Sequence, residues 1–273
     1  EQLKAAGSMA VIMREAIKPN LLQTLEHTPV IVHAGPFGNI AHGNSSIVGD
    51  LIGIRGGDYL ITEAGFGADM GAERFFNIKC RNSGMVPDAA VLVATVRALK
   101  AHSGKFKIVA GKPLPAELLA ENPDDVRAGA ANLIKQIENV KVHGVSPVVA
   151  INAFPGDFKS EHDAIREIAE SVGARVAVCT HFSDGGKGAT ELAQAVVEAC
   201  DEPSTFTYCY ESDMTLKQKI EAVATKIYGA ANVTYSAAAN TQLARYEKNG
   251  FGNLPVCIAK THLSISGDAT LKG

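Results

Sequence analysis

The 273 residues carry 26 Lys plus Arg against 29 Asp plus Glu, a net charge of −3, and are 46% hydrophobic. Acids and bases are interspersed, so no basic stripe invites nucleic acid, and no apolar run reaches the roughly 18 residues of a membrane-spanning helix. A chain of this size buries enough surface to need neither metal nor disulfide staples. The five cysteines, Cys80, Cys179, Cys200, Cys209 and Cys257, form no C-x-x-C pair, and three lie in apolar strand-like runs. Free, buried thiols in a reducing cytoplasm are expected. Glu1-Gln2-Leu3-Lys4 begins no signal peptide, and glutamate at position 1 is expected to mark a piece of a longer polypeptide.

The chain opens on an expected helix over 2–17, with Met9, Ile12, Met13 and Ala16 on one side and Pro19 stopping it. The stretch that organises the rest follows: an apolar strand at 29–34, the irregular loop Gly35-Pro36-Phe37-Gly38-Asn39-Ile40-Ala41-His42-Gly43, and Asn44, Ser45 and Ser46 as helix caps before Ile47, Val48, Leu51 and Ile54. Ligands of open α/β sheets gather beyond the carboxyl ends of strands, where loop backbone approaches closely. A second strand at 59–64 leads into a glycine-rich loop at 65–73. The run 89–96 is almost purely apolar, as expected of a strand in mid-sheet. Residues 100–122 read as a surface excursion.

Asn122-Pro123 is an N-cap followed by proline at the first helical position, with Val126, Ala130, Leu133 and Ile137 at helical spacing. A strand at 147–152, the loop 153–157, a helix ending at Gly173, a strand at 175–180 and the loop 181–188 come next. Further helices are expected at 189–200, around 216–227 and at 243–248, and strands at 205–210 and 254–259. Continuous apolar strands separated by helices give an α/β class with a mostly parallel sheet flanked by helices. The expected division is a nucleotide-binding core over 1–142, a second, smaller α/β domain over 143–229 and a short C-terminal α+β segment over 230–273.

Four loops at strand ends carry a phenylalanine: Phe37, Phe66, Phe154 and Phe182. Either each ring plugs the top of the sheet, or the rings stack on a flat heterocycle, an interaction worth roughly 1–3 kcal/mol per base. His33, inside a strand, is either a satisfied core group or a catalyst; His42, after the turn, is the better catalytic candidate. Glu63, Asp69 and Glu73 either hold Mg²⁺ or cap helices and pair with Lys79 and Arg81. Lys187 in Gly185-Gly186-Lys187-Gly188 is a fragment of a phosphate loop, but no G-x-x-x-x-G-K-[ST] occurs, and neither does a Gly-x-Ser-x-Gly elbow.

Several segments resemble the formate–tetrahydrofolate ligase family, also called 10-formyltetrahydrofolate synthetases. They are Ala6 to Ala10 with Ala16 to Leu21, His33 to Ser46, Thr62 to Glu73, Ala94 to Lys100, Ala150 to Pro155, and Gly252 to Val256 with Ala259-Lys260-Thr261. The resemblance implies that ATP and formate give formyl phosphate, which the N10 amine of tetrahydrofolate attacks to yield 10-formyltetrahydrofolate. It implies Mg²⁺ and a monovalent cation, whose ligands it does not assign, and a homotetrameric assembly. It places Gly35, Pro36 and Phe37 at the formyl and pterin region, Phe154 and Pro155 on one wall of a flat-ligand pocket, and Phe182 opposite, before Gly185 and Gly186. The family usually has tryptophan where Phe182 stands; stacking survives, the indole N–H does not. His42, Asn39 and Glu63 form the expected catalytic set. The family's ATP-binding P-loop lies N-terminal to the matched segments, so this chain is expected to be the middle and C-terminal part, the sheet incomplete and the piece inactive alone. The alternative is a folate- or nucleotide-binding module without ligase activity of its own.

Overall fold

The computed structural model describes residues 3–33, 41–109, 111–259 and 263–273. Two compact units emerge, Glu1–Gly84 and Met85–Gly273.

In the first unit the helix Ala6–Ala16 stops ahead of Pro19, its Met9, Val11, Ile12 and Met13 exposed. β1 (Asn20–Gln23) and β2 (Pro29–Val32) then pair antiparallel, Asn20 opposite Val32 and Gln23 opposite Pro29. The expected parallel-sheet strand at 29–34 is thereby corrected. The link between the two runs, closed by the Thr24 N–H donating to the Thr28 carbonyl at 2.9 Å, makes a hairpin and is far too short for a parallel crossover. Helix Ile47–Gly53 follows, with the Ser46 hydroxyl accepting from the Gly49 N–H. Residues 59–64 are no strand: among the described residues they make one isolated bridge, Ala64 to Asn44, and Tyr59 and Ile61 stay exposed.

The expected loop at 65–73 is corrected as well. Ala68–Ala72 and Phe75–Cys80 wind as π-helix and run into a short α-helix, Arg81–Ser83. A Cβ on Gly71 would lie 1.8 Å from the Gly65 carbonyl oxygen. The glycine there serves close backbone packing, not turn formation.

The second unit is built on three parallel strands, β3 (Ala89–Ala94), β4 (Ser146–Asn152) and β5 (Arg175–Cys179), in the order β3-β4-β5. Ala89 pairs with Ser146 and Val148 with Arg175. Five consecutive residues of β4 are buried, as a central strand covered on both faces requires. Its Val149 and Ile151, with Val176 of β5, join Leu99, Val126, Leu133, Ile137 and Ile165 in one core. These come from the helices Val96–His102, Pro123–Ala128, Ala131–Lys141 and Lys159–Ser171, while Thr190–Cys200 packs along all three strands. Asn122 caps as expected, its Oδ1 accepting from the N–H groups of Asp124 and Asp125. The mid-sheet reading of 89–96 is corrected: β3 is the edge of this sheet, and Val93 is 69% exposed.

The strands expected at 205–210 and 254–259 do not form among the described residues. Their backbone groups bond to side chains and loops instead. The Thr207 carbonyl accepts from His143 Nδ1 at 2.9 Å, and the Val256 N–H donates to the Tyr210 hydroxyl at 3.1 Å. Cys80, Cys179 and Cys209 are free and buried as expected, whereas Cys257, outside any sheet, is exposed. The helix expected at 243–248 is longer, Ala237–Lys248, capped by Ser236. No helix among the described residues is long and apolar enough to cross a membrane.

Candidate active site

The carboxyl ends of β3, β4 and β5 place three loops on one end of the sheet. After β3, Thr95 caps the next helix, its hydroxyl accepting from the Ala98 N–H at 3.1 Å, which sets Arg97 in the first turn. After β4, the Ala153 N–H donates to the Cys179 carbonyl at 3.0 Å and ties the loop to β5. The Asp157 carboxylate then accepts from the Phe154 N–H at 2.9 Å, and the Asp157 N–H returns to the Phe154 carbonyl at 3.0 Å. Gly156, at φ 98°, supplies the left-handed residue that this tight turn demands. His162 Nε2, on the following helix, lies 3.5 Å from the Asp157 carboxylate.

Phe154 is therefore presented by a doubly bonded turn, and it is 37% exposed. The Arg97 guanidinium lies over its ring, 4.4 Å from the centroid. Beside the pair is a cavity of about 180 Å³ lined by Arg97, Lys100, Leu118, Pro155, Asp157 and Glu161, among others. Below it, Lys100 and Glu161 form a buried ion pair of 2.7 Å. The same Glu161 oxygen accepts from the Asn122 N–H at 2.9 Å, and the other from the Phe158 N–H at 3.2 Å. Lys100 also donates to the Ala120 carbonyl at 2.5 Å. The surface excursion expected from residue 100 onward is thus rooted in the core.

After β5 the loop expected at 181–188 is corrected to a short α-helix, His181–Asp184, and a 3₁₀ turn, Gly185–Ala189, closed by the Thr180 N–H donating to the Gly188 carbonyl at 2.9 Å and the Thr180 hydroxyl to Asp184 at 2.6 Å. A Cβ on Gly188 would sit 2.5 Å from the Thr180 carbonyl carbon, so only glycine allows this closure. Phe182 is 84% exposed, and Gly185 and Gly186 are exposed with it. Phe66 of the first unit is exposed too, so no described loop phenylalanine plugs a sheet.

In the first unit His33 is a satisfied core group: Nδ1 lies 2.6 Å from the Ser46 hydroxyl and Nε2 2.9 Å from the Ala16 carbonyl. His42 is half-buried, with Asn82 Nδ2 at 3.1 Å from its Nε2. Burial first, and then Lys79, hold its imidazole below the usual range. Lys79 finds its carboxylate in Asp50, at 2.5 Å and buried. Glu73 is buried and accepts from Asn77 Nδ2 at 3.0 Å. Burial pushes its carboxyl up to about 7 against the lowering by Asn77 and Arg74. Glu63 is exposed, and Gly35, Pro36, Phe37 and Asn39 lie outside the described residues. Among the described residues no three His, Cys, Asp or Glu side chains gather as a metal site. Arg97, Asp157 and the Lys100–Glu161 pair escaped the sequence reading; the one available signal was a basic residue two places after the Thr95 cap.

The chain is thus an α/β protein whose parallel-sheet end carries two exposed phenylalanines, Phe154 and Phe182, on backbone-fixed segments. The comparisons make this particular: the family model for formate–tetrahydrofolate ligase matches residues 1–273, and the chain belongs to that family. A formate–tetrahydrofolate ligase of Saccharopolyspora erythraea is 70% identical over the whole of this chain, which covers 48% of that relative. A formate–tetrahydrofolate ligase of Rubrobacter xylanophilus is 66% identical, with 49% covered, and one of Cutibacterium acnes 62%, with 48% covered. The chain spans about half the length of these curated relatives.

Proposed function

We propose that this chain is the folate- and nucleotide-pocket part of an ATP-dependent ligase that joins formate to tetrahydrofolate through formyl phosphate. The whole-chain family match carries the reading, and the exposed Phe154 on its braced turn supports it. Phe154 and Pro155 form one wall for the pterin and Phe182 an aromatic face on the neighbouring loop. Gly185 and Gly186 let the 180–188 backbone come close to the ligand. In the acyl transfer the N10 amine attacks the formyl carbon, the bond from that carbon to the phosphate oxygen breaks, and the amine gives up a proton. His42, whose imidazole burial holds below the usual range, is the group proposed to take it; Asn39 and Glu63 complete the proposed catalytic set, and the family resemblance assigns Gly35, Pro36 and Phe37 to the formyl side.

ATP is a co-substrate in this reading and Mg²⁺ its counter-ion, with a monovalent cation as a further ion of the whole protein. No described residue is assigned to either ion. The 273 residues contain no Walker A sequence, so the phosphoryl step falls to the part of the relatives that this chain does not span. The complete enzyme is read as cytoplasmic and homo-oligomeric. A binding module lacking ligase activity is the second reading, favoured by the same missing motif.

Equilibrium dialysis of tetrahydrofolate against the 273-residue chain tests the pocket. Phe154→Ala removes one stacking face, an interaction worth roughly 1–3 kcal/mol, and is expected to weaken binding about 5- to 150-fold. Equal affinity of Phe154→Ala and the parent chain removes Phe154 from the pocket.

A further inference from the structure

We propose that Arg97 is a positioning residue that clamps the inner face of the Phe154 ring and tunes its open face for an electron-rich, reduced pterin. The inference rests on reading Phe154 as a pterin wall, and adds a residue and a selectivity to it. Three observations carry it. The guanidinium stands 4.4 Å from the ring centroid, within cation–π distance. Among the described residues Arg97 has no carboxylate partner, while the neighbouring Lys100 is fully committed to Glu161 and the Ala120 carbonyl. Its Nε is buried and finds no acceptor among the described residues. The ring is thus the group against which this cation is placed, and a planar guanidinium covers an arene face as an ammonium does not.

The consequence follows from the ring quadrupole. A cation on one face draws π density toward itself and leaves the opposite face poorer in electrons. That face stacks better on an electron-rich heterocycle, such as the aminopyrimidinone of a tetrahydropterin, than on its oxidised, electron-poor counterpart. With Asp157 holding the Phe154 backbone N–H and Arg97 the ring, the wall is set before the ligand arrives.

The test uses the 273-residue chain labelled with 4-fluorophenylalanine, the Phe154 ¹⁹F signal being assigned by its loss in Phe154→Leu. Arg97→Gln is expected to shift and broaden that signal alone, and Arg97→Lys to restore part of it. In dialysis, Arg97→Gln is expected to bind tetrahydrofolate about five- to tenfold more weakly while its affinity for fully oxidised folate changes little, so that the ratio between the two falls. A Phe154 signal that overlays the parent's in Arg97→Gln overturns the clamp. Equal loss of both ligands overturns the tuning, since a merely structural role would weaken them alike. A signal that responds in a parent chain that takes up neither pterin upholds the clamp and defeats the reading of Phe154 as a pterin wall.

Discussion

Lys100→Met is expected to destabilise the Met85–Gly273 unit by about 3–5 kcal/mol, the usual cost of leaving a buried charge without its partner. Lys100 and Glu161 side chains are 1% and 2% exposed, and their 2.7 Å contact ties the 96–102 helix to the 159–171 helix. Without the ammonium, Glu161 keeps only the Asn122 and Phe158 N–H groups. Adding Glu161→Gln neutralises the orphaned carboxylate while leaving an amide in its place, so the double variant should be more stable than Lys100→Met alone. Urea unfolding followed by circular dichroism reads both changes. A single-variant loss below about 1 kcal/mol, or a double variant no better than the single, contradicts the assignment. Because the pair sits under the turn that bears Phe154, the same variant is expected to weaken tetrahydrofolate binding even where the fold persists.

The second large effect is a pH dependence in the Glu1–Gly84 unit. Glu73 titrates at 4.5 when unfolded and is pushed up to about 7 when folded, chiefly by burial. Its folded pKa is raised, so the stabilisation by the protonated form is complete below pH 4.5. Between pH 4.5 and about 7 the unfolded chain releases the proton while the folded chain keeps it, and stability falls with rising pH. The rise corresponds to about 3 kcal/mol. Glu73→Gln keeps the shape and the contact with Asn77 but cannot ionise. It should match the parent near pH 4.5 and exceed it by about 3 kcal/mol at pH 8. Parallel stability curves for the two across this range would show that burial of Glu73 does not govern its titration.

What the sequence made legible was the sheet that carries the Phe154 and Phe182 segments. The runs at 147–152 and 175–180 are apolar in their interiors, Pro147 to Ile151 and Val176 to Cys179, and they fold within a residue of the expected bounds as β4 and β5. The loops bearing Phe154 and Phe182 were legible for the same reason. Partners were not: the four apolar residues of β2 fit a hairpin as well as a parallel strand, and the deciding contact, Thr24 to Thr28, lies in an unremarkable link. Residues 65–73 misled because glycine marks both turns and tight packing, and only the proximity of Gly71 to Gly65 tells the two apart. Arg97 and the Lys100–Glu161 pair were invisible because each acts through a residue about sixty positions away.

We propose that these residues form the pocket part of a ligase and leave phosphoryl transfer to the part of the relatives they do not span. The most direct test incubates the 273-residue chain with formate, MgATP and tetrahydrofolate, and reads product as the methenyl derivative after acidification. The expected result is no product from the chain alone, and product once a separate polypeptide carrying the family's P-loop region is added. Product accumulating in proportion to the chain alone would contradict the account and require a phosphate site among these residues, with Lys187 the first place to look.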